Sequence, residues 1–222
     1  MIKIENTEVN GFEAAIRGMR NPLNSWDKSD SEPGEPDMYE NCANCTVGEY
    51  FVGKNDLELM KKLSKAGTDH SKYLRFITVT ADITAPMFWW FEYDTYKVGT
   101  VKNSCSKMHK IHVKPFNYND FTHEGIDEVA KEYVSLKSVF ITYILILEWL
   151  RVKFNETQEK KYWRALIEML PESYNMRATV LTNYQVLKSQ YEARKSHKLD
   201  EWHDFCHWCE SLPYFKEVCI DD

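Results

Sequence analysis

Long apolar runs are missing from this 222-residue chain. Its most apolar stretch, VFITYILILEWL over Val139–Leu150, falls well short of the roughly 20 residues that cross a bilayer. It therefore reads as a buried core helix, and no membrane partner is predicted. The opening MIKIENTEVNGFEAAI has no basic segment followed by an apolar one, so it is not a signal peptide. A basic excess is missing too: 28 Lys and Arg stand against 34 Asp and Glu, for a net charge of −6. That balance argues against nucleic acid as a partner while leaving room for a small basic pocket. No repeat, low-complexity tract or Ser or Cys nucleophile motif is visible. Six cysteines without a secretion signal read as thiols rather than a disulfide framework. The expectation is a cytoplasmic globular protein, one domain over 1–222, long enough to bury a real core.

What is present is mainly helical patterning with a little strand. A short strand or turn over Met1–Ile4 leads to a small helix over Val9–Met19. A polar loop follows at about 21–50, with Pro22, Pro33, Gly34 and Pro36; loops of that length often carry function. NDLELMKKLSKA places Leu57, Met60 and Leu63 at helical spacing, with Asn55 as N-cap and Gly67 as C-cap. Phe76–Ile83 alternates as a strand. Ala85-Pro86 breaks it, and a helix restarts over Met87–Tyr96. One long helix, or two joined near Lys137, covers Glu124–Phe154. Further helices are expected over Glu156–Met169, Thr179–Lys195 and Leu199–Leu212. The fold class is α+β, a small sheet packed with several long helices.

The C-terminal third holds the clearest chemical pattern, LPESYNMRATVLTNYQVLKSQYEARKSHKLDEW over Leu170–Trp202. If 179–195 is helical, Asn183 and Arg194 stand close to three turns apart and project from one face. A planar Arg fork suits a pyrimidine carbonyl or a phosphate, and an Asn amide can read a ring edge. Upstream, Trp89, Trp90, Tyr93 and Tyr96 form an aromatic run that suits either core packing or stacking on a flat ligand, core being the commoner outcome. Glu92, Asp94, Asn103, Ser104, Ser106 and His109 add polar groups, and KMHKIHVK over Lys107–Lys114 is a small basic patch.

The order of Pro171, Asn183, Leu187 and Arg194 resembles the flavin-dependent thymidylate synthases (a ThyX-like pattern), in which a Leu-Pro ends one helix and a later helix carries Asn, Leu and Arg. The resemblance extends to Thr84-Ala85-Pro86-Met87-Phe88 after a strand, to AAIRGMR over Ala14–Arg20, and to the helix and turn over Leu59–His70. Thr95–Met108 stands where that family has its signature. There Thr95, Tyr96 and Lys97 replace Arg-His-Arg, Thr100 and Cys105 take two Ser positions, and Lys102-Asn103 replaces Asn-Glu. Lys107-Met108 replaces the closing Arg-Tyr. Gln185 replaces a further Arg, and Ile167 another, with Arg164 one turn earlier. The likeness is one of spacing more than identity, and the loss of arginines implies weaker or different phosphate recognition.

The resemblance implies FAD as cofactor, a folate one-carbon donor, a pyrimidine nucleotide as ligand and a homotetramer. It implies Tyr96, Lys97, Asn103, Asn183 and Gln185 as cofactor-binding residues. It implies Arg164, Ser104, Ser106, Lys107 and Arg194 as substrate-binding residues, with Arg194 also the catalytic one. In such chemistry the cofactor carries the hard step and no protein nucleophile is needed. The alternative function is a non-catalytic nucleotide-binding protein on the same fold, with a degenerate flavin site. A separate alternative is zinc held by Cys42-Ala-Asn-Cys45 and Cys206-His-Trp-Cys209. The interval between these pairs far exceeds the usual 15–20 residues or so, and reduced thiols are the default.

Overall fold

A computed structural model describes residues 2–34 and 50–220. Part of the loop expected at 21–50, and both Cys42 and Cys45, lie outside the described residues. The strands are β1 (Lys3–Asn10), β2 (Glu32–Pro33), β3 (Tyr50–Phe51), β4 (Thr78–Pro86), β5 (Val101–Ser104) and β6 (Asn175–Asn183). The helices are α1 (Phe12–Arg20), α2 (Lys54–Lys65), α3 (Met87–Tyr93), α4 (Lys107–Lys110), α5 (Glu124–Val129), α6 (Ser135–Thr157), α7 (Lys160–Met169), α8 (Tyr184–Arg194), α9 (Asp200–Ser211) and α10 (Phe215–Cys219). One sheet has the order β1-β4-β6-β5, and β2 pairs antiparallel with β3. The fold is α+β with a small sheet, as the sequence predicts.

The chain forms two compact units. One comprises chiefly Ile83–Thr95 and Asn103–Ala178, the other Ile4–Asp82, Tyr96–Lys102 and Thr179–Asp222. In the first, the core gathers Phe116, Phe121, Ile144, Leu147, Leu150 and Leu166. Trp89, Trp90 and Tyr93 pack on one another with ring centroids 5.0–5.3 Å apart, and the Trp90 indole donates to the Met176 carbonyl at 2.9 Å. All three rings are fully buried. The aromatic run is thus core up to Tyr93, and the ligand-stacking reading does not hold for those three.

Val139–Leu150 is core on one side only. Ile144, Leu147 and Leu150 face inward at a three-residue spacing, while Val139, Ile141, Leu145, Ile146 and Trp149 are exposed. Among the described residues no helix is long and apolar enough to cross a membrane.

In the second unit α1 sends Phe12, Ala15, Ile16 and Met19 into the core at the i, i+3, i+4, i+7 spacing of a single helix face. Gly11 precedes it at φ 98°, and a Cβ there would lie 2.0 Å from the Phe76 carbonyl oxygen. Only glycine fits a backbone approach that close. Arg20, at the end of α1, is buried against Asp56 of α2, with Nε 2.6 Å from Oδ1. Ser29 and Ser31 donate to the other carboxylate oxygen at 2.7 and 2.6 Å, so one acid ties the 29–31 segment to two helices.

Three local expectations change. Asn55 does not cap α2; Asp30 accepts from the amides of Asn55 and Asp56 instead, and Gly67, at φ 101°, follows the cap residue Ala66. The break expected near Lys137 falls before Ser135, and a left-handed Gln158 separates α6 from α7. The helix expected over Thr179–Lys195 begins only at Tyr184, because Asn175–Asn183 is strand β6. Met176, Ala178, Val180 and Thr182 are buried at every second position there, the strand period.

Candidate functional site

The change at β6 alters the geometry of the C-terminal pattern. Asn183 is the last residue of the strand and the N-cap of α8, where its side-chain oxygen accepts from the Val186 amide at 3.1 Å. Its Nδ2 lies 3.5 Å from the Gly99 carbonyl. Gly99 is at φ 80°, and a Cβ there would meet Nδ2 at 3.0 Å and Val186 Cγ2 at 3.1 Å. The glycine lets the 96–102 turn approach the N-terminus of α8. Arg194 ends α8, so the helix holds the two residues at its opposite ends.

Arg194 is half-buried and set among aromatic groups. Its Nε donates to the Tyr96 hydroxyl at 3.1 Å. Its guanidinium carbon lies 4.7 Å from the centroid of Trp202 and 5.7 Å from that of Tyr96. The two rings meet edge to face, with centroids 6.5 Å apart. Trp202 comes from α9 and is fully buried. A cation over an indole face is held by the ring quadrupole, and desolvation strengthens the attraction. The sequence reading missed Trp202. The signal available was an aromatic residue eight positions beyond Arg194, at the start of the next helix.

Gln185 is engaged away from Arg194, its side-chain oxygen accepting from Ser71 at 2.8 Å. Lys97 is exposed in the same turn as Gly99. The second unit thus brings Tyr96 and Arg194 together, and Asn183 against Gly99, but draws Gln185 to the 71–75 turn.

In the first unit Asn103 and Ser104 lie exposed at the end of β5, and Ser106 caps the short α4 by accepting from the His109 amide. Lys107 reaches the Met87 sulfur at 3.2 Å. The Cys105 amide donates to the Arg177 carbonyl, which fixes the strand end. Arg164 lies on the exposed side of α7, where it pairs with Glu168 at 2.5 Å.

The thiol pair Cys206 and Cys209 is buried in α9. Burial pushes Cys206 up to about 11 and Cys209 well above the ordinary thiol range, so both keep their protons at neutral pH. Among the described residues no group of three or more His, Cys, Asp or Glu side chains could hold a metal ion.

These elements define an α+β protein whose polar groups cluster at strand ends and at the two ends of one helix. Its fold is that of the flavin-dependent thymidylate synthases. The chain is similar to thymidylate synthase X (ThyX) from Helicobacter pylori, solved with FAD and dUMP, at a TM-score of 0.67 and 18% identity, over 100% of this chain and 98% of that one. A second structure of the Helicobacter pylori flavin-dependent thymidylate synthase, also complexed with FAD and dUMP, gives 0.67 at 19% identity, over 99% and 98%. No family model and no curated protein matches the sequence.

Proposed function

We propose that the chain is a divergent relative of the flavin-dependent thymidylate synthases that modifies a pyrimidine nucleotide with FAD, by a methylation-type one-carbon transfer. The observation that carries this reading is the placement of Asn183 and Arg194 at the two ends of α8, in a fold matched over essentially the whole length. We treat 1–222 as one folding domain, a reading supported by the match over essentially the whole length.

The residues present fit a flavin in part. A flavin dinucleotide offers carbonyl and phosphate acceptors, which call for amide and ammonium donors. Lys97 and Asn103 are donors of that kind. Asn183, Gln185 and Tyr96 have partners within the protein and fit less well. When bound, FAD supplies the hydride and folate the one-carbon unit, while the protein's part is binding and polarisation.

In the roles we assign, Lys97 and Asn183 hold the flavin and Arg194 polarises the pyrimidine ring. Ser104, Ser106 and Lys107 take the nucleotide phosphate. Arg164, exposed and paired with Glu168, is a secondary phosphate contact. A compact cation on a flexible stem binds phosphate as a point charge, so replacing arginines with Lys97 and Lys107 implies looser recognition. The exposed apolar side of α6 supports a homo-oligomer, a tetramer by resemblance. A cytoplasmic location is part of the same proposal.

Titration calorimetry with dUMP tests the site. Arg194→Ala is expected to weaken binding about tenfold or more, in line with loss of a charged hydrogen-bonding partner. Unchanged binding would remove Arg194 from the site.

A further inference from the structure

We propose that Tyr96 and Trp202 are positioning residues that fix the plane of the Arg194 guanidinium, so that Tyr96 acts through Arg194 and not by touching the flavin. This rests on the reading of Arg194 as the pyrimidine-binding side chain. Three observations carry it. The Tyr96 hydroxyl accepts from Arg194 Nε at 3.1 Å, which sets the rotation of the fork about its long axis. The Trp202 ring lies 4.7 Å from the guanidinium carbon and is fully buried, so it offers a fixed, desolvated surface. Trp202 is itself held by Phe205 at 5.4 Å and by the Tyr96 ring edge at 6.5 Å.

An arginine at the end of a helix has four rotatable side-chain bonds and loses much rotamer freedom when fixed. A hydroxyl at Nε and an aromatic face beside the guanidinium remove that freedom before ligand arrives. Preorganisation of this kind raises affinity without adding a ligand contact. Tyr96 stands at the middle position of the segment Thr95-Tyr96-Lys97, and its hydroxyl ties that segment to α8.

The experiment measures dUMP affinity of the full chain for Tyr96→Phe, Trp202→Phe, Trp202→Leu and Arg194→Ala, with melting temperature recorded for each. Tyr96→Phe keeps the ring and removes only the hydroxyl. It is expected to weaken binding about threefold to tenfold with an unchanged melting temperature. Trp202→Phe keeps an aromatic face and stays within about twofold, whereas Trp202→Leu loses about as much as Tyr96→Phe. In the Arg194→Ala background Tyr96→Phe has no further effect, because a residue that acts through another is not additive with it. A merely structural Tyr96 would give the same loss in both backgrounds. If Arg194→Ala weakens binding but Tyr96→Phe and Trp202→Leu do not, the positioning role is wrong and the site reading survives. If Arg194→Ala leaves binding unchanged, the site reading fails and the inference falls with it.

Discussion

Asp56 illustrates how one side chain organises a neighbourhood. Its carboxylate is fully buried, and burial works against its charge. Hydrogen bonds from Ser31, Ser29 and Arg20 outweigh that cost and hold it below the usual carboxylate range. Replacing Asp56 by Ala leaves the Arg20 guanidinium buried without its counter-ion, the expensive half of a broken buried pair. Chemical denaturation is expected to show a loss of about 3–5 kcal/mol. A loss under about 1 kcal/mol would mean that water or a neighbouring acid takes over, contrary to the buried geometry. Arg194 is another arginine at a helix end, held by a hydroxyl and an indole instead of a carboxylate.

At the scale of elements, the join between α5 and α6 is held by a polar cluster that periodicity did not indicate. Asp127 accepts from Lys137 at 2.7 Å, from His123 at 2.8 Å and from Tyr118 at 2.9 Å. Lys137, Tyr118 and His123 together hold its carboxyl down at about 2. The sign follows from a depressed carboxylate: the stabilisation is complete above the ordinary value of about 3.9 and is lost as pH falls toward 2. Melting temperature followed from pH 5 to 2 is expected to fall more steeply in the parent chain than in Asp127→Asn. Parallel curves would show that the cluster contributes nothing to folding. Much of this element scale was legible beforehand. The spacing of Leu57, Met60 and Leu63 gave α2, and alternation over Phe76–Ile83 gave the main part of β4. The helix expected from Thr179 overlaps strand β6 over 179–183, where tertiary neighbours decide in favour of the period-two burial of Met176, Ala178, Val180 and Thr182. The site was legible as residue types, but partnerships such as Gln185 with Ser71 and Arg194 with Tyr96 are set by packing between distant segments. No local pattern encodes them.

At the scale of the whole molecule, two properties set its behaviour in solution. The net charge of −6 works against non-specific attraction to polyanions. Against that, Val139, Leu145 and Trp149 line the outer side of α6, each more than half exposed. An apolar helix side of that extent is the kind that self-association covers. Light scattering is expected to report a mass several times the 26.3 kDa of one chain, with Leu145→Glu combined with Trp149→Glu shifting it toward that value. A parent chain already at 26.3 kDa would remove the oligomer from the account.

In the proposed function this fold holds a flavin despite the altered signature between Thr95 and Met108. The most direct test is the absorption spectrum of the purified chain, as isolated and after incubation with FAD and removal of unbound ligand. A flavin band that stays with the protein and is released on unfolding is the expected result. A chain that remains colourless after incubation, while still binding dUMP, would contradict it and leave a nucleotide-binding protein without redox chemistry.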